Sequence, residues 1–173
     1  MQLIHCNFED HAQAIVDIFN YEIVNTTALY EYHPRSLETM KAWFETKVKN
    51  NFPVIAAVDE NGVLMGFASY GTFRAWAAYK YSVEHSVYIE KNFRGQGLAK
   101  MLMEELISLA KQQGIHVIIG AIDAANSGSI SLHKKLGFNY SGTIKQAGFK
   151  FGKWLDFDFY QLILETPSEP VDG

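Results

Sequence analysis

A glutamate inside an apolar segment is the first feature of this chain whose residue type and setting suggest chemistry. Residues 81–90 alternate and are rich in β-branched and aromatic side chains, so they are predicted to form a strand that contains Glu84. A carboxylate in partly apolar surroundings keeps its proton to a higher pH, which suits a general base. Glu84 is therefore a candidate base, and the alternative is a solvated glutamate on an exposed strand face.

A glycine-containing turn, residues 94–100, follows this strand and leads into a predicted helix. Apolar side chains recur at helical spacing from Leu98 to Ala110, and Gly114 supplies a stop. The first N–H groups of a helix lack partners and its dipole is positive there, so this terminus is expected to attract an anion. The alternative is a glycine-rich turn without a ligand.

Two familiar nucleotide motifs do not fit this turn. A P-loop requires Gly-Lys-Ser/Thr, whereas Gly97 is followed by Leu98. A dinucleotide fingerprint requires a third small residue where Lys100 stands, and an acidic residue at the right distance, which this chain lacks. The pattern that remains over residues 94–99 is Arg-x-x-Gly-x-Ala.

Composition limits the function classes further. The chain has 173 residues, 48% hydrophobic and 20% charged, with a formal net charge of -4, so nucleic acid is not the expected partner. The single cysteine, Cys6, excludes an internal disulfide and a cysteine-based metal cluster. No signal peptide or membrane-spanning stretch is recognised, so a cytoplasmic location is expected. Neither a membrane nor a metal ion is an expected partner. We predict one domain over residues 1–165 and a flexible tail over 166–173.

The predicted elements follow the order β-α-α-β-β-β-α-β-α-β-β, an α/β (α+β) mixed sheet with helices on both faces. Asn7 and Ser36 are expected to cap the first two helices. Residues 138–150 and 154–164 are expected to form a final hairpin. The second helix is expected to bury one face, which comprises Leu37, Met40, Trp43, Phe44 and Val48.

A second motif lies near the fourth helix. Residues 126–138 begin with Asn126, continue through Ser129 and Lys135, and end in Gly137-Phe138. An asparagine amide can bind the amides of a ligand, although it can equally be a helix cap and nothing more. Together with residues 94–99, this segment resembles the GNAT superfamily of N-acetyltransferases, in which the first motif binds the pyrophosphate of acetyl-CoA.

The resemblance narrows to one branch of that superfamily. The segments that carry it are Asn25-Thr26-Thr27, Glu84-His85-Ser86-Val87-Tyr88, Gly142 and residues 148–156. They are similar to the enzymes that acetylate phosphinothricin, methionine sulfone and methionine sulfoximine. The resemblance extends from Leu3 to Leu164, and it implies the GNAT fold, acetyl-CoA as co-substrate and a homodimer.

The resemblance also implies roles for individual residues. Glu84 would remove a proton from the α-amino group of an amino-acid analogue. His133 stands where many superfamily members have a tyrosine that protonates the leaving thiolate, and it is either that acid or a packing residue. Cofactor contacts are implied for Val87, Tyr88, Ile89, Arg94, Gly95, Gln96, Gly97, Leu98, Ala99, Lys100, Asn126, Ser129 and Lys135. Substrate contacts are implied for Glu84, His85 and Ser86, although His85 could instead be a half-buried histidine with its hydrogen bonds satisfied. The loop after the third strand adds four candidates for substrate contact, Phe73, Arg74, Ala75 and Trp76, of which Phe73 and Trp76 could instead fill the core under the loop.

Arg74 is a candidate for binding the substrate carboxylate, because a guanidinium can hold a carboxylate through two hydrogen bonds. The alternative is that Arg74 is a solvated arginine of the loop. Acetylation of a peptide N-terminus or a polyamine, and a non-catalytic acyl-CoA sensor, stay open as alternatives. The aromatic residues of the final hairpin fit either an interface or ordinary core.

Overall fold

The computed structural model describes residues 1–172, and its elements follow the predicted order. The strands are β1 (Gln2–His5), β2 (Val54–Val58), β3 (Leu64–Thr72), β4 (Ser82–Ile89), β5 (Val117–Asp123), β6 (Asn139–Lys150) and β7 (Lys153–Ile163). The α-helices are α1 (Phe8–Asn25), α2 (Leu37–Lys49), α3 (Leu98–Gln112) and α4 (Ser127–Lys135). Short 3-10 turns span Ala77–Tyr79 and Lys91–Phe93.

The seven strands form one mixed sheet in the order β1-β2-β3-β4-β5-β7-β6. β4 and β5 run parallel, with Ser82 opposite Val117 and Glu84 opposite Ile119. β5 and β7, and then β7 and β6, run antiparallel. The predicted α/β class with a mixed sheet is confirmed. α3 connects the parallel pair, as such a crossover requires.

Side-chain caps begin the first two helices at the predicted residues. The Asn7 side chain accepts a hydrogen bond from the Asp10 N–H at 2.8 Å, and Ser36 Oγ accepts one from the Thr39 N–H at 3.2 Å. Each bond satisfies one of the N–H groups that a helix start leaves without a partner. Both capping predictions are confirmed.

Contacts divide the chain into two compact units. The N-terminal unit comprises Met1–Tyr70 and Ser86–Leu106. In it α1 buries one mostly apolar face, and Phe19 packs against Trp43 and Phe67 with ring centroids 5.7 and 5.0 Å apart. The predicted face of α2 is partly wrong, because Leu37 is 44% exposed and Val48 is 79% exposed. Only Met40 and Phe44, one turn apart in the middle of α2, are fully buried, since the first and last turns of this helix lie outside the packed stretch.

The C-terminal unit comprises Gly71–His85 and the described chain from Ile107 onward. Its β6–β7 hairpin confirms the predicted one. Part of the C-terminal segment is hydrogen-bonded within this unit, since the Val171 N–H donates to Tyr81 Oη at 3.0 Å and Thr166 Oγ1 donates to the Ile115 carbonyl oxygen. None of the helices within residues 1–172 has the length and apolar composition needed to cross a bilayer.

Candidate active site

The turn after β4 has the backbone geometry that binding of an anion needs. Gly95 and Gly97 have φ angles of +79° and +80°, in the left-handed region that glycine adopts at little cost. A Cβ built on either glycine would meet nothing within 4 Å, so the main chain is open there. α3 begins at the next residue, Leu98, and adds its own N-terminal amides and dipole. The turn can therefore hold a phosphate-type anion through main-chain N–H groups.

The two cations of this turn have ion-pair partners. Arg94 pairs with Glu22 of α1, whose side chain is 6% exposed. Lys100 lies 3.0 Å from Glu104 in an exposed pair on α3. Gln96 and Ala99 complete the turn, the first exposed and the second half-buried.

The second half of β4 lies close to β3 because Gly66 has no side chain. A Cβ on Gly66 would lie 2.8 Å from the Tyr88 carbonyl oxygen and 2.6 Å from Ile89 Cδ1. Glycine inside a strand often marks such a close approach of another backbone. The Tyr88 ring packs against Phe19 and Phe67, with centroids 5.3 and 5.5 Å away. Tyr88 can therefore contribute its backbone, and not its ring, to a ligand.

Glu84 lies in the first half of β4, between two buried residues. Val83 is 2% exposed and His85 is 8% exposed, while Glu84 is half-buried on the opposite face of the strand. Burial raises the pKa of the Glu84 carboxyl above its ordinary value of 4.5. A half-buried carboxylate with a raised pKa is the state expected of a general base.

His85 and His133 form a buried hydrogen-bonded pair. Their Nε2 atoms are 2.8 Å apart, and the rings are stacked with centroids 4.9 Å apart. His133 Nδ1 lies 2.7 Å from the Ser129 carbonyl oxygen, which can only accept, so this nitrogen carries a proton.

These contacts assign the protons of the neutral pair. With a proton on Nδ1, the Nε2 of neutral His133 is an acceptor, so His85 Nε2 donates. His85 Nδ1 is then a buried acceptor, and it has no hydrogen-bond partner among residues 1–172. Burial and the nearby His133 lower the pKa of His85 to about 3. Burial also lowers the pKa of His133, opposed by the hydrogen bond to Ser129. At neutral pH the pair therefore holds no extra proton for a leaving thiolate, which favours the packing alternative for His133.

Gly120 of β5 makes room for this pair. A Cβ at this position would lie 2.8 Å from His133 Nε2 and 2.9 Å from His85 Nε2. Any side chain would displace one ring or the other. A glycine inside the apolar β5 sequence is the signal by which this contact could have been anticipated, because strand glycines often mark a close approach.

The motif around α4 combines a cap with exposed polar groups. The Asn126 side-chain oxygen accepts a hydrogen bond from the Ser129 N–H at 3.0 Å and caps α4. The amide NH₂ of exposed Asn126 is the group that this cap does not use. Lys135 lies exposed in the last turn of α4.

The predicted substrate segment follows β3. Phe73 is half-buried, and its ring lies 5.9 Å from that of Tyr79 and 5.5 Å from the Arg74 guanidinium carbon. Arg74 and Ala75 are exposed, and Trp76 is 69% exposed. These residues present a cation and an apolar surface to solvent, whereas Ser86, on β4, is half-buried.

The structure thus brings some of the predicted residues together and leaves others apart. His85 joins His133, while Glu84, its neighbour in sequence, lies on the other face of β4. Sequence reasoning missed Gly120, and it also missed the role of Glu22 on the mostly apolar face of α1. A charged residue on such a face is a signal, since buried charges are almost always paired. Within residues 1–172, no three His, Cys, Asp or Glu side chains are grouped as a metal site would require.

Comparison with known proteins identifies the family. Residues 18–138 match the model of the acetyltransferase (GNAT) family. The chain belongs to the GNAT family. A curated GNAT relative, the L-methionine sulfoximine/L-methionine sulfone acetyltransferase of Pseudomonas aeruginosa, is 43% identical over 90% of this chain and 91% of its own.

Two solved structures are similar over nearly the whole chain. The phosphinothricin acetyltransferase of Sinorhizobium meliloti, in complex with acetyl-CoA, is 36% identical, with a TM-score of 0.94 over 99% of this chain and 94% of that one. The ribosomal-protein-alanine N-acetyltransferase of Brucella melitensis is 40% identical, with a TM-score of 0.92 over 95% of this chain and 100% of that one. The predicted GNAT fold and the predicted enzyme class, an acetyl-CoA-dependent N-acetyltransferase, are confirmed.

Proposed function

We propose that this protein transfers the acetyl group of acetyl-CoA to the α-amino group of a small amino-acid analogue such as methionine sulfone, methionine sulfoximine or phosphinothricin. The observation that carries this proposal is the 43% identity, over 90% of the chain, to an enzyme named for two of these substrates. Residue types at the site support it, because they include a half-buried carboxylate and an anion-binding turn.

Glu84 is the proposed general base. The α-amino group is mostly protonated at neutral pH, and an ammonium has no lone pair for attack. The Glu84 carboxylate accepts that proton, the amine nitrogen bonds to the thioester carbonyl carbon, and the carbon–sulfur bond breaks. Coenzyme A leaves as the thiolate, which takes up the second proton that the nitrogen loses as it becomes the amide. The N–H groups of residues 87–89 are proposed to stabilise the oxyanion that develops on the carbonyl, which is worth about 3–4 kcal/mol in comparable sites.

Cofactor binding is assigned to the turn and to α4. The main-chain N–H groups of residues 95–100 bind the pyrophosphate, and the Asn126 amide contacts the pantetheine arm. His133 positions His85 and is not the proposed acid for the leaving thiolate, because burial lowers the pKa of both histidines and neither ring carries the extra proton of an imidazolium at neutral pH.

Arg74 is the proposed partner of the substrate carboxylate. Replacement by alanine should raise KM for the amino-acid substrate at least tenfold, which is the order expected when a charge-assisted hydrogen bond is lost. The KM for acetyl-CoA should change less than twofold, because the cofactor does not use this side chain. Steady-state kinetics with each substrate varied in turn would check the assignment, and equal effects on both constants would contradict it.

A peptide N-terminus is the second candidate substrate. The 40% identical structure from Brucella melitensis is named as a ribosomal-protein-alanine N-acetyltransferase. That name favours a protein α-amino group over a polyamine, which has no carboxylate for Arg74.

A thiol-release assay with acetyl-CoA discriminates among these substrates. The panel contains methionine sulfone, methionine sulfoximine, phosphinothricin, spermidine and an alanine-terminated peptide. The proposal predicts the highest kcat/KM with one of the first three. Release with the peptide or spermidine alone would replace the substrate assignment, and acetyl-CoA binding without any release would favour a sensor.

A homodimer is part of the proposal and is supported by the exposed aromatic residues of the β6–β7 hairpin. Phe149, Phe151 and Trp154 are 44%, 57% and 61% exposed, and exposed apolar residues grouped on one hairpin are typical of a protein–protein interface. Light scattering coupled to size exclusion would measure the mass in solution, and a monomer at micromolar concentration would contradict the dimer. The proposed location is the cytoplasm. A chain with a single cysteine needs no oxidising compartment, because it forms no internal disulfide.

A further inference from the structure

Glu22 is a charged residue on the buried face of α1, far in sequence from the turn after β4. Its side chain is 6% exposed. One carboxylate oxygen, Oε1, accepts a hydrogen bond from Arg94 Nη2. The other, Oε2, accepts one from Thr26 Oγ1 at 2.8 Å. Both oxygens of this buried carboxylate therefore have donors.

Arg94 has further contacts that hold it on the protein. Its Nε donates to the Ile89 carbonyl oxygen at 3.3 Å, and its guanidinium carbon lies 5.5 Å from the Tyr21 ring centroid. The guanidinium thus connects the last residue of β4 with the last turns of α1. The next residue along the chain is Gly95, where the open turn begins.

We infer that Glu22 is a positioning residue for acetyl-CoA: through its ion pair with Arg94 it holds the turn at residues 94–100 in the conformation that binds the pyrophosphate. The inference rests on the proposed function of that turn. In this inference the Arg94 side chain binds Glu22 and not the cofactor, although Arg94 is part of the motif that binds pyrophosphate in the GNAT family.

The charge of the Glu22–Arg94 pair and the flexibility of the turn both support a positioning role for Glu22. A guanidinium neutralised by a buried carboxylate adds little net positive charge for a distant anion, and moving it to a phosphate would leave the Glu22 charge buried and unpaired. Two glycines in the turn make it free to adopt many conformations when nothing restrains it. A turn that is already ordered in the free enzyme loses less entropy when it binds, and it therefore binds more tightly.

Calorimetry of acetyl-CoA binding to the full-length protein tests this inference without using turnover. Glu22→Gln, Arg94→Gln and the double variant are compared with the parent protein. Each single change should weaken binding roughly tenfold, which corresponds to about 1.4 kcal/mol. The double variant should bind no more weakly than either single variant, because both changes break the same pair.

Glu104→Gln is the matched control. It also removes a carboxylate from a cation of the same turn, but the Lys100–Glu104 pair is more than half exposed on both sides. Exposed pairs contribute little, so acetyl-CoA binding should change less than twofold. The KM for the amino-acid substrate should be unchanged in Glu22→Gln, which distinguishes a local effect from general loss of structure.

Hydrogen exchange of the ligand-free protein gives a second measurement if Glu22→Gln fails to fold. Positioning predicts that amides 95–100 exchange faster in Arg94→Gln than in the parent protein, since the restraint is lost before any ligand is present. A direct contact between Arg94 and the pyrophosphate predicts unchanged exchange in the free protein.

The outcomes separate the two proposals. Tight acetyl-CoA binding by the parent protein with unchanged binding by Glu22→Gln overturns the positioning role alone. Tighter binding by Glu22→Gln, or additive losses in the double variant, means that Arg94 contacts the cofactor directly and also overturns it. Failure of the parent protein to bind acetyl-CoA overturns the proposed function itself.

Discussion

Glu22 and Glu84 are the same side chain in two different surroundings, and the difference shows what makes a carboxylate reactive. Glu22 is almost fully buried, and its two oxygens are bonded to Arg94 and Thr26. Glu84 is only half-buried, yet no ion pair within residues 1–172 includes it, and burial raises the pKa of its carboxyl. A buried carboxylate with a cationic partner is a structural anchor, whereas burial without such a partner raises the pKa of the carboxyl and so favours uptake of a proton.

The largest effect expected from this comparison is on turnover. Glu84→Gln keeps the shape of the side chain but removes the base, so kcat should fall about 10²- to 10⁴-fold. Acetyl-CoA binding should be unchanged, because the turn that we propose as the pyrophosphate site is untouched. Stopped-flow detection of free thiol and calorimetry on the same preparation would check both statements. Near-parental turnover would remove Glu84 from the mechanism.

Gly120→Ala should be the most destabilising of the small substitutions near the site. The new methyl group would lie within 3 Å of both histidine Nε2 atoms, and it must displace a buried ring. Overpacking of this kind costs about 1–3 kcal/mol. The free energy of unfolding from urea titration would measure the loss. Gly128→Ala is the control, because its Cβ would meet only Asn126 Oδ1, at 3.7 Å.

Substitution by glutamine should change the free energy of unfolding differently at the two glutamates. Glu22→Gln leaves the Arg94 charge without its partner and should lower the free energy of unfolding by about 1–3 kcal/mol. Glu84→Gln removes a carboxylate that is disfavoured by burial, so it should leave the stability near neutral pH unchanged or raise it. Thermal melts of both variants at pH 7 would test this, and equal losses in the two would mean that the comparison has no energetic basis.

The smallest effect concerns acid stability. In the folded protein the pKa of His85 is lowered from 6.5 to about 3, and that of His133 is also lowered. Between these values the unfolded chain binds more protons, so the stability contributed by the neutral pair is present above pH 6.5 and is lost as the pH falls. Urea unfolding at pH 7.5 and at pH 5 should give a larger difference for the parent protein than for His133→Phe. An equal difference in the two proteins would show that the pKa values of the pair do not change on unfolding.

Local chemistry made much of the fold predictable. Asn7 and Ser36 are capping residues whose role depends only on neighbouring N–H groups, and the order of elements follows from periodicity and glycine stops. The exposure of Leu37 and Val48 could not be inferred from helical spacing, because spacing identifies an apolar stripe but not where the packed stretch of the helix ends.

The parts of the candidate site that belong to a sequence motif could be predicted. The contacts between residues far apart in the sequence could not. Residues 94–100 were recognised from their pattern, and Glu84 from its apolar surroundings. The pairs Glu22–Arg94 and His85–His133 join residues 72 and 48 positions apart. Neither member of such a pair specifies its partner in the sequence, so the ion pair between Arg94 and Glu22 of α1 could not be predicted from the motif.

The pH dependence of kcat/KM for methionine sulfone is the most direct test of the central claim that Glu84 is the base. In the parent protein the rate should rise with pH as Glu84 loses its proton, with a midpoint above the ordinary carboxyl value of 4.5. In Glu84→Gln this first rise should disappear, and the remaining rate should rise only near the pKa of the substrate amine, where the amine loses its proton to solvent. A first rise that persists in that variant would show that another group removes the proton.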